Sequence, residues 1–259
     1  MSLSFNDGED KKLICTIYDK KIKKHIYITS KNYDFDKSTS NEKNDIKKIV
    51  LENKESFIFP YITDKDNERI YISGKSGSGK TYNFIRPYII NFLNKFKSNV
   101  YYFSSKMKDN AVDDLDIIRV EPDYIENKEL LISDFTTKNK KNLIVFDDIQ
   151  DYKTKKLNEK VAQFRNEVLR NGRSEGLYIL YVNHKPNAGF QTAEQIFEAT
   201  AVVIFPKQSG ESDYNLMMSK YLGIKPKEME ILKNAKSKYV YISKSKPAYA
   251  ISDNYVLSL

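Results

Sequence analysis

The apolar residues of this chain fall into a regular alternation from Glu68 onward. Short apolar segments alternate there with stretches whose apolar residues recur at helical spacing. The predicted strands are Arg69–Ser73, Asn99–Ser104, Ile117–Val120, Leu143–Asp147, Leu177–Val182 and Ala201–Phe205, and the predicted helices lie near 79–95, 157–171 and 191–199. Strands separated by helices form parallel β-α-β units. The pattern therefore predicts an α/β fold, with a mostly parallel sheet flanked by helices.

The first part of the chain lacks this alternation. Residues 12–30 predict a β-hairpin, because two arms rich in β-branched and aromatic residues flank a lysine-rich turn. Residues 31–47 are rich in Asn, Asp, Ser and Lys, which is typical of a loop or linker. We therefore predict an N-terminal segment, residues 1–66, that contains a β-hairpin and a linker.

The last part of the chain predicts helices followed by strands. Helices are expected at Ser212–Leu222 and near 227–234. Residues 238–243 and 249–257 carry strand patterns and predict a C-terminal β-hairpin. We assign these elements to the main domain, residues 67–259, as a C-terminal extension.

A proline interrupts the helix predicted at 79–95. Pro87 has no backbone N–H, and its ring clashes with the carbonyl of the preceding turn. We therefore expect a kink, or the end of the first part of this helix, near Arg86.

The charge and the residue composition limit the classes of protein to which this chain can belong. The formal net charge is +8 over 259 residues, which favours an acidic partner such as nucleic acid, although lysine-rich composition alone gives the same value. Cys15 is the only cysteine, and His25 and His184 are the only histidines, so an internal disulfide or a Cys- or His-rich metal site is not expected. No signal-peptide pattern and no apolar run near the ~20 residues of a membrane span occur. We expect a soluble, intracellular protein.

The segment Gly-Lys-Ser-Gly-Ser-Gly-Lys-Thr follows the first predicted strand and matches the phosphate-binding P-loop motif. Its glycines allow a tight turn whose N–H groups surround phosphate oxygens. We expect Lys80 to bind the β- and γ-phosphates of ATP and Thr81 to bind Mg²⁺. The motif predicts a P-loop NTPase of RecA-like fold. The predicted nucleotide-binding residues are Gly74, Lys75, Ser76, Gly77, Ser78, Gly79, Lys80, Thr81 and Tyr82.

Two adjacent acids follow the apolar run Leu-Ile-Val-Phe. Asp147 ends the strand, where a P-loop enzyme needs an acid that organises the metal ion. Asp148 is the candidate general base for the attacking water. An alternative is that the pair only caps a strand and begins a turn. The other acidic pair, Asp113-Asp114, does not follow a buried-type run.

The next strand supplies further candidates. It ends in Asn183 and His184, either of which can hydrogen-bond the γ-phosphate or the attacking water, although His184 also fits a solvated loop. Arg165, Arg170 and Arg173 precede this strand. In a ring ATPase, one of these arginines can complete the active site of a neighbouring subunit, and Arg173 is the first candidate. The alternative for each arginine is a solvated helix end.

Together these segments resemble the FtsK–HerA superfamily, and more narrowly the genome-packaging ATPases of large DNA viruses and virophages. The resemblance covers roughly residues 66–206 and rests on the P-loop, on Leu-Ile-Val-Phe-Asp-Asp, and on Arg-Asn-Gly-Arg-Ser-Glu-Gly-Leu-Tyr-Ile-Leu-Tyr-Val-Asn-His. Two positions depart from the family: Ser174 stands where the family has His after its Gly-Arg, and His184 where it usually has Gln.

The resemblance implies an ATPase, a hydrolase, that forms a pentameric or hexameric ring. It would pump double-stranded DNA into a preformed capsid, so capsid proteins would be partners and the virion or the viral assembly site its location. DNA would be held non-specifically through its phosphates. The candidate DNA-facing lysine stretches are Lys106–Lys108, Lys138–Lys141 and Lys153–Lys156.

Three other functions fit the same core. A P-loop small-molecule kinase usually has an arginine-rich lid, yet residues 205–235 contain no arginine. A DNA helicase-like ATPase would share the core chemistry. A nucleotide-binding protein without turnover is a third alternative, which the Asp147-Asp148 pair disfavours.

Overall fold

The computed structural model describes residues 2–5, 11–18, 23–29, 48–51, 56–184, 190–234, 237–245 and 248–259. The chain forms two compact units: Met1–Tyr61 with Ile224–Leu259, and Ile62–Gly223. The sequence prediction assigned 224–259 to the main domain, whereas the structure groups this segment with the N-terminal strands.

The described strands are β1 (Ser2–Ser4), β2 (Lys11–Tyr18), β3 (Lys23–Thr29), β4 (Lys48–Val50), β5 (Phe57–Pro60), β6 (Arg69–Ser73), β7 (Val100–Ser104), β8 (Ile118–Arg119), β9 (Asn142–Asp147), β10 (Leu177–Asn183), β11 (Ala201–Ile204), β12 (Val240–Ser243), β13 (Tyr249–Ser252) and β14 (Tyr255–Ser258). The described α-helices are α1 (Arg86–Phe96), α2 (Pro122–Asn127), α3 (Lys155–Asn171), α4 (Phe190–Glu198), α5 (Glu211–Asn215) and α6 (Pro226–Asn234). Short π-helical turns span Thr81–Ile85 and Leu216–Tyr221, and short 3₁₀ turns span Ile132–Phe135 and Pro206–Gln208.

The first unit is built from antiparallel strands. β2 pairs with β3, which confirms the predicted N-terminal hairpin, and β1 and β5 pair with the outer sides of β3 and β2. β12, β13 and β14 form a meander whose last strand pairs with β4. The predicted C-terminal strand 249–257 is thus two strands that turn at Asp253 and Asn254. The predicted linker at 31–47 lies outside the described residues.

The second unit contains a parallel sheet with the order β11-β6-β10-β9-β7-β8. All six residues of β9 and all seven of β10 are buried. Such continuous burial is characteristic of parallel strands that are covered on both faces. The predicted α/β fold is confirmed, and the carboxyl ends of β6, β7, β9 and β10 lie along one edge of this sheet.

Helix α3 is attached to this sheet by an aromatic cluster. The Thr154 side chain accepts a hydrogen bond from the Leu157 N–H at 3.2 Å and caps the start of the helix. The Phe164 ring lies 5.0 Å from Phe135 and 5.6 Å from Phe103, measured between ring centroids. Aromatic contacts at these distances stabilise the packing beyond the area they bury.

The first part of the predicted helix ends near Arg86, as expected from the sequence, because the π-helical turn stops at Ile85 and α1 begins at Arg86. The turn Thr81–Ile85 is π-helical, and the Arg86 N–H bonds to the Thr81 carbonyl five residues back. Pro87 then lies in the first turn of α1, where a missing N–H costs little. The wider turn therefore accommodates the proline, and the helix continues to Phe96. No helix within the described residues has the length and apolar character needed to cross a bilayer.

We predict that Phe164→Ala destabilises the protein by about 3–5 kcal/mol, because it leaves a cavity where α3 meets the sheet. Phe164 is 3% exposed. The measurement is the free energy of unfolding from urea denaturation. Lys156→Ala, on an exposed position of the same helix, should change it by less than about 0.5 kcal/mol. Equal effects of the two substitutions would contradict the role of the cluster.

Candidate nucleotide-binding site

The P-loop leaves the carboxyl end of β6 and turns directly into the helical segment at Thr81. Gly77 and Gly79 have φ angles of +76° and +81°, which residues with a side chain rarely adopt. A Cβ at Gly74 would lie 2.8 Å from Ser78 Oγ and 3.1 Å from the Phe205 ring. The glycines at these positions are therefore required by the path of the loop.

Lys80 lies beneath the loop and is 5% exposed. Its ammonium group donates to the carbonyls of Gly74 at 2.7 Å and Lys75 at 2.9 Å, and it lies 3.2 Å from His184 Nδ1. These contacts use all three of its donors. Burial lowers the pKa of Lys80, while the charges of Asp147 and Asp148 oppose this shift.

Asp147 is 4% exposed and is bound by two hydroxyl groups. Tyr102 donates to its Oδ2 at 2.7 Å, and Thr81 Oγ1 lies 3.4 Å from the same oxygen. Burial, reinforced by the charge of Asp148, raises the pKa of Asp147. The hydrogen bond from Tyr102 opposes this rise.

The converging oxygens of Thr81 and Asp147 fit Mg²⁺, which prefers oxygen ligands and keeps several waters and phosphate oxygens in its shell. In the part of the chain that the structure describes, no group of three or more His, Cys, Asp or Glu could hold a metal by itself. A magnesium ion here would take its remaining ligands from water and from a bound nucleotide.

Asp148 follows β9 in a left-handed conformation, with φ +52°, and is 6% exposed. Its carboxylate is contacted on one oxygen by Lys106 and on the other by His184 Nε2. Because the Lys80 ammonium can only donate, His184 Nδ1 must accept, so Nε2 carries the proton that bonds Asp148. Burial alone would raise the pKa of Asp148, but the hydrogen bonds from Lys106 and His184 outweigh it and leave the pKa below its ordinary value.

Asn183 and His184 have different places in the site. Asn183 is the last residue of β10, is 3% exposed, and accepts the Gly74 N–H at 3.2 Å through its carbonyl. His184 is partly exposed and contacts both Lys80 and Asp148. The structure therefore places the His184 ring among the catalytic candidates, whereas the Asn183 backbone supports the start of the P-loop.

Two of the three predicted arginines, Arg170 and Arg173, lie at the opposite edge of the sheet. The Arg173 carbonyl accepts from Asn67, just before β6, and its guanidinium lies 3.4 Å from Asp66. Arg170 forms an ion pair with Glu194 of α4. Since β10 is seven residues long, roughly 20 Å separates this edge from the P-loop. Neither arginine reaches the nucleotide site of its own chain.

The Arg165 side chain is buried within its own chain and does not extend toward a neighbouring subunit. It is 3% exposed, and its guanidinium lies over the Tyr181 ring at 4.7 Å. Burial lowers the pKa of this arginine. Arg165 is therefore a packing residue of α3.

The outer face of the P-loop is open to solvent. Lys75 and Ser76 are exposed, and Tyr82 is 68% exposed, while Ser78 is buried. Lys75, Ser76 and Tyr82 are therefore accessible to a nucleotide, and their role in binding one stays a prediction.

Sequence reasoning missed two residues of this site. Tyr102 lies within β7 and binds Asp147, and Lys106 follows the same strand and binds Asp148. Lys106 was expected among the DNA-facing lysines. The sequence shows only that Lys106 lies two residues after a strand that ends in Ser104. This position does not indicate that Asp148 is its partner.

Known proteins resemble this chain in sequence and in fold. The chain is 31% identical to "Uncharacterized protein V3" of the Sputnik virophage, over 84% of this chain and 88% of that protein. It is similar to B204, the DNA-packaging ATPase of Sulfolobus turreted icosahedral virus, with TM-score 0.50 and 16% identity over 73% of this chain and 98% of that chain. B204 of Sulfolobus turreted icosahedral virus 2, solved with AMPPCP, gives TM-score 0.48 at 15% identity over 72% and 98% of the two chains. The fold is thus that of the P-loop ATPases. No family model matches the chain.

We predict that Gly79→Ala destabilises the protein more than Gly77→Ala. Both glycines have positive φ, so each substitution should cost about 1–2 kcal/mol from backbone strain. At Gly79 the new Cβ would also lie too close to the Asn83 side-chain nitrogen, so this side chain would have to move, whereas at Gly77 no atom lies within 4 Å. Urea denaturation of the two variants measures the difference. A smaller effect at Gly79 would contradict the described loop.

Proposed function

The chain belongs to the family of the Sputnik virophage protein V3, and from this family and its site we propose that it is an ATP-hydrolysing motor that packages viral double-stranded DNA. The observation that carries the proposal is the convergence of Lys80, Thr81, Asp147 and Asp148 at one edge of a parallel sheet. These groups are the ones that P-loop chemistry needs.

The residues have distinct roles in hydrolysis. The P-loop N–H groups and Lys80 hold the phosphates, and Lys80 gives up one or more of its present contacts to do so. Thr81 and Asp147 would hold Mg²⁺, which neutralises charge on the phosphates. Asp148 accepts a proton from the attacking water as the water oxygen bonds to the γ-phosphorus, and the bond from this phosphorus to the leaving ADP oxygen breaks to give ADP and phosphate.

His184 serves as the sensor of the γ-phosphate. Its ring connects Lys80 to Asp148, so a change in the contacts of Lys80 alters the hydrogen bond that reaches the base. Asn183 is the alternative sensor at the end of the same strand. Its burial makes it the second choice.

The proposal of DNA as partner rests on charge and on relatives. The net charge of +8 favours binding to the phosphate backbone without sequence preference. B204 is described as a DNA-packaging ATPase. We propose a homo-oligomeric ring, pentameric or hexameric, that acts on capsids at the viral assembly site.

The arginines fit a role in a neighbouring subunit. Arg173 and Arg170 are largely exposed and lie far from the P-loop of their own chain. In a ring, one subunit's arginine can stabilise the charge that develops in the next subunit's site. We propose Arg173 as this residue, with Arg170 as its alternative.

The first test is ATP turnover by the purified protein with and without double-stranded DNA. Wild type should hydrolyse ATP faster with DNA, and Lys80→Ala should be inactive because it loses the phosphate-binding cation. Asp148→Asn should retain nucleotide binding and lose turnover by roughly 10²–10⁴-fold. Turnover that DNA does not change, in a monomer, would favour a small-molecule kinase. Strand separation by the active protein would favour a helicase.

A mixing experiment tests the shared site. Arg173→Ala alone should lose roughly 10³-fold or more in turnover if it acts as an arginine finger. Lys80→Ala subunits retain their arginine and can complete the intact P-loop of an Arg173→Ala neighbour. Activity recovered on mixing two inactive variants supports the proposal. If neither Arg173→Ala nor Arg170→Ala recovers activity when mixed with Lys80→Ala, neither arginine acts in a neighbouring subunit's site.

A further inference from the structure

Lys106 is held in place by contacts of its own backbone. Its N–H donates to Ser104 Oγ at 3.2 Å, and its carbonyl accepts from the Arg119 guanidinium at 3.0 Å. Arg119 is itself fixed by an ion pair with Asp113 and lies 5.2 Å from the centre of the Tyr102 ring. The turn after β7 therefore presents the Lys106 side chain in one direction, toward the end of β9.

The side chain of Lys106 meets a buried acid. The Asp148 side chain is 5% exposed, while that of Lys106 is 57% exposed. Ion pairs between two exposed groups contribute little, but a carboxylate that is withdrawn from water needs a partner. Asp147 is also buried beside it, so two negative charges must be balanced at this point.

Lys80 cannot fill this need directly. Its ammonium contacts two loop carbonyls and His184, and it reaches Asp148 only through the His184 ring. Among the described residues, the lysine in direct contact with Asp148 is Lys106.

We propose that Lys106 is a positioning residue that holds the Asp148 carboxylate in the orientation required for hydrolysis. This proposal rests on the proposed function. Lys106 holds one carboxylate oxygen and His184 the other, so the plane of the group is fixed by two donors. Each oxygen has a second lone pair, and one of these remains to accept the proton of the attacking water. The contacts described for Lys106 are with Ser104, Arg119 and Asp148. Its charge also acts on Lys80, so we expect the main effect of Lys106 on the rate of the step and a smaller effect on nucleotide affinity.

The kinetic test compares Lys106→Ala with Lys106→Arg, in the absence of DNA. Lys106→Ala should lower kcat by roughly ten- to hundred-fold, the usual cost of a misplaced catalytic group, with KM for ATP changed less than about two-fold. Lys106→Arg keeps the charge and the donors and should recover part of kcat. Lys220→Ala, at an exposed lysine elsewhere in the same unit, is the matched control and should match wild type.

A double-mutant cycle tests whether Lys106 acts through Asp148 without requiring turnover. The unfolding transition is measured for wild type, Lys106→Ala, Asp148→Asn and the double variant. The shift caused by Lys106→Ala should be lost in the Asp148→Asn background, because the partner is already removed. Additive shifts would overturn the pairing.

The outcomes separate this inference from the proposed function. Unchanged kcat in Lys106→Ala, or a raised KM at constant kcat, would overturn the positioning role while wild-type turnover and inactive Lys80→Ala leave the ATPase proposal intact. A kcat for Lys106→Arg no higher than that for Lys106→Ala would also overturn the positioning role. Wild-type protein without turnover would remove the ATPase proposal and the positioning role with it. The cycle would still decide whether the ion pair exists.

Discussion

The site depends on the burial of two adjacent carboxylates, Asp147 and Asp148, at the end of the fully buried strand β9. A buried charge costs several kcal/mol unless donors and cations compensate it. The compensation comes from three other strand ends: Tyr102 and Lys106 from β7, His184 from β10, and the P-loop after β6. The order of strands in the sheet is thus what makes the acid pair tolerable, since it brings these donors to one edge.

The same compensation links the nucleotide loop to the candidate base. All three donors of Lys80 are in use, so binding a phosphate exchanges an existing hydrogen bond for a new one. His184 has an acceptor and a donor nitrogen on opposite sides of one rigid ring, which suits it to bridge Lys80 and Asp148. The resembling family usually has Gln at this position. A Gln side chain also has an acceptor oxygen and a donor nitrogen, so the exchange of Gln for His preserves both hydrogen-bonding roles at this position.

Contiguous features were predictable from the sequence, and features that join distant segments were not. The P-loop and Asp147 are each part of a short pattern beside a strand, so local rules identify them. The partner of Lys106 is Asp148, which is 42 positions later, and only the parallel pairing of β7 with β9 brings them together. Likewise, no sequence pattern distinguishes Arg165 from the exposed arginines near it, yet its guanidinium packs on the Tyr181 ring. Charge and helical position do not encode such contacts.

The separation of the two sheet edges constrains any role for the exposed arginines. Parallel strands direct all their carboxyl ends to one side, so the P-loop and both acids lie there, whereas the end of α3 returns to the other side before β10 begins. No rotamer of Arg173 spans roughly 20 Å, because an extended arginine side chain is far shorter than a seven-residue strand. If Arg173 or Arg170 contributes to hydrolysis, the site it completes must therefore belong to another copy of the chain. Assembly would then be a condition for full activity.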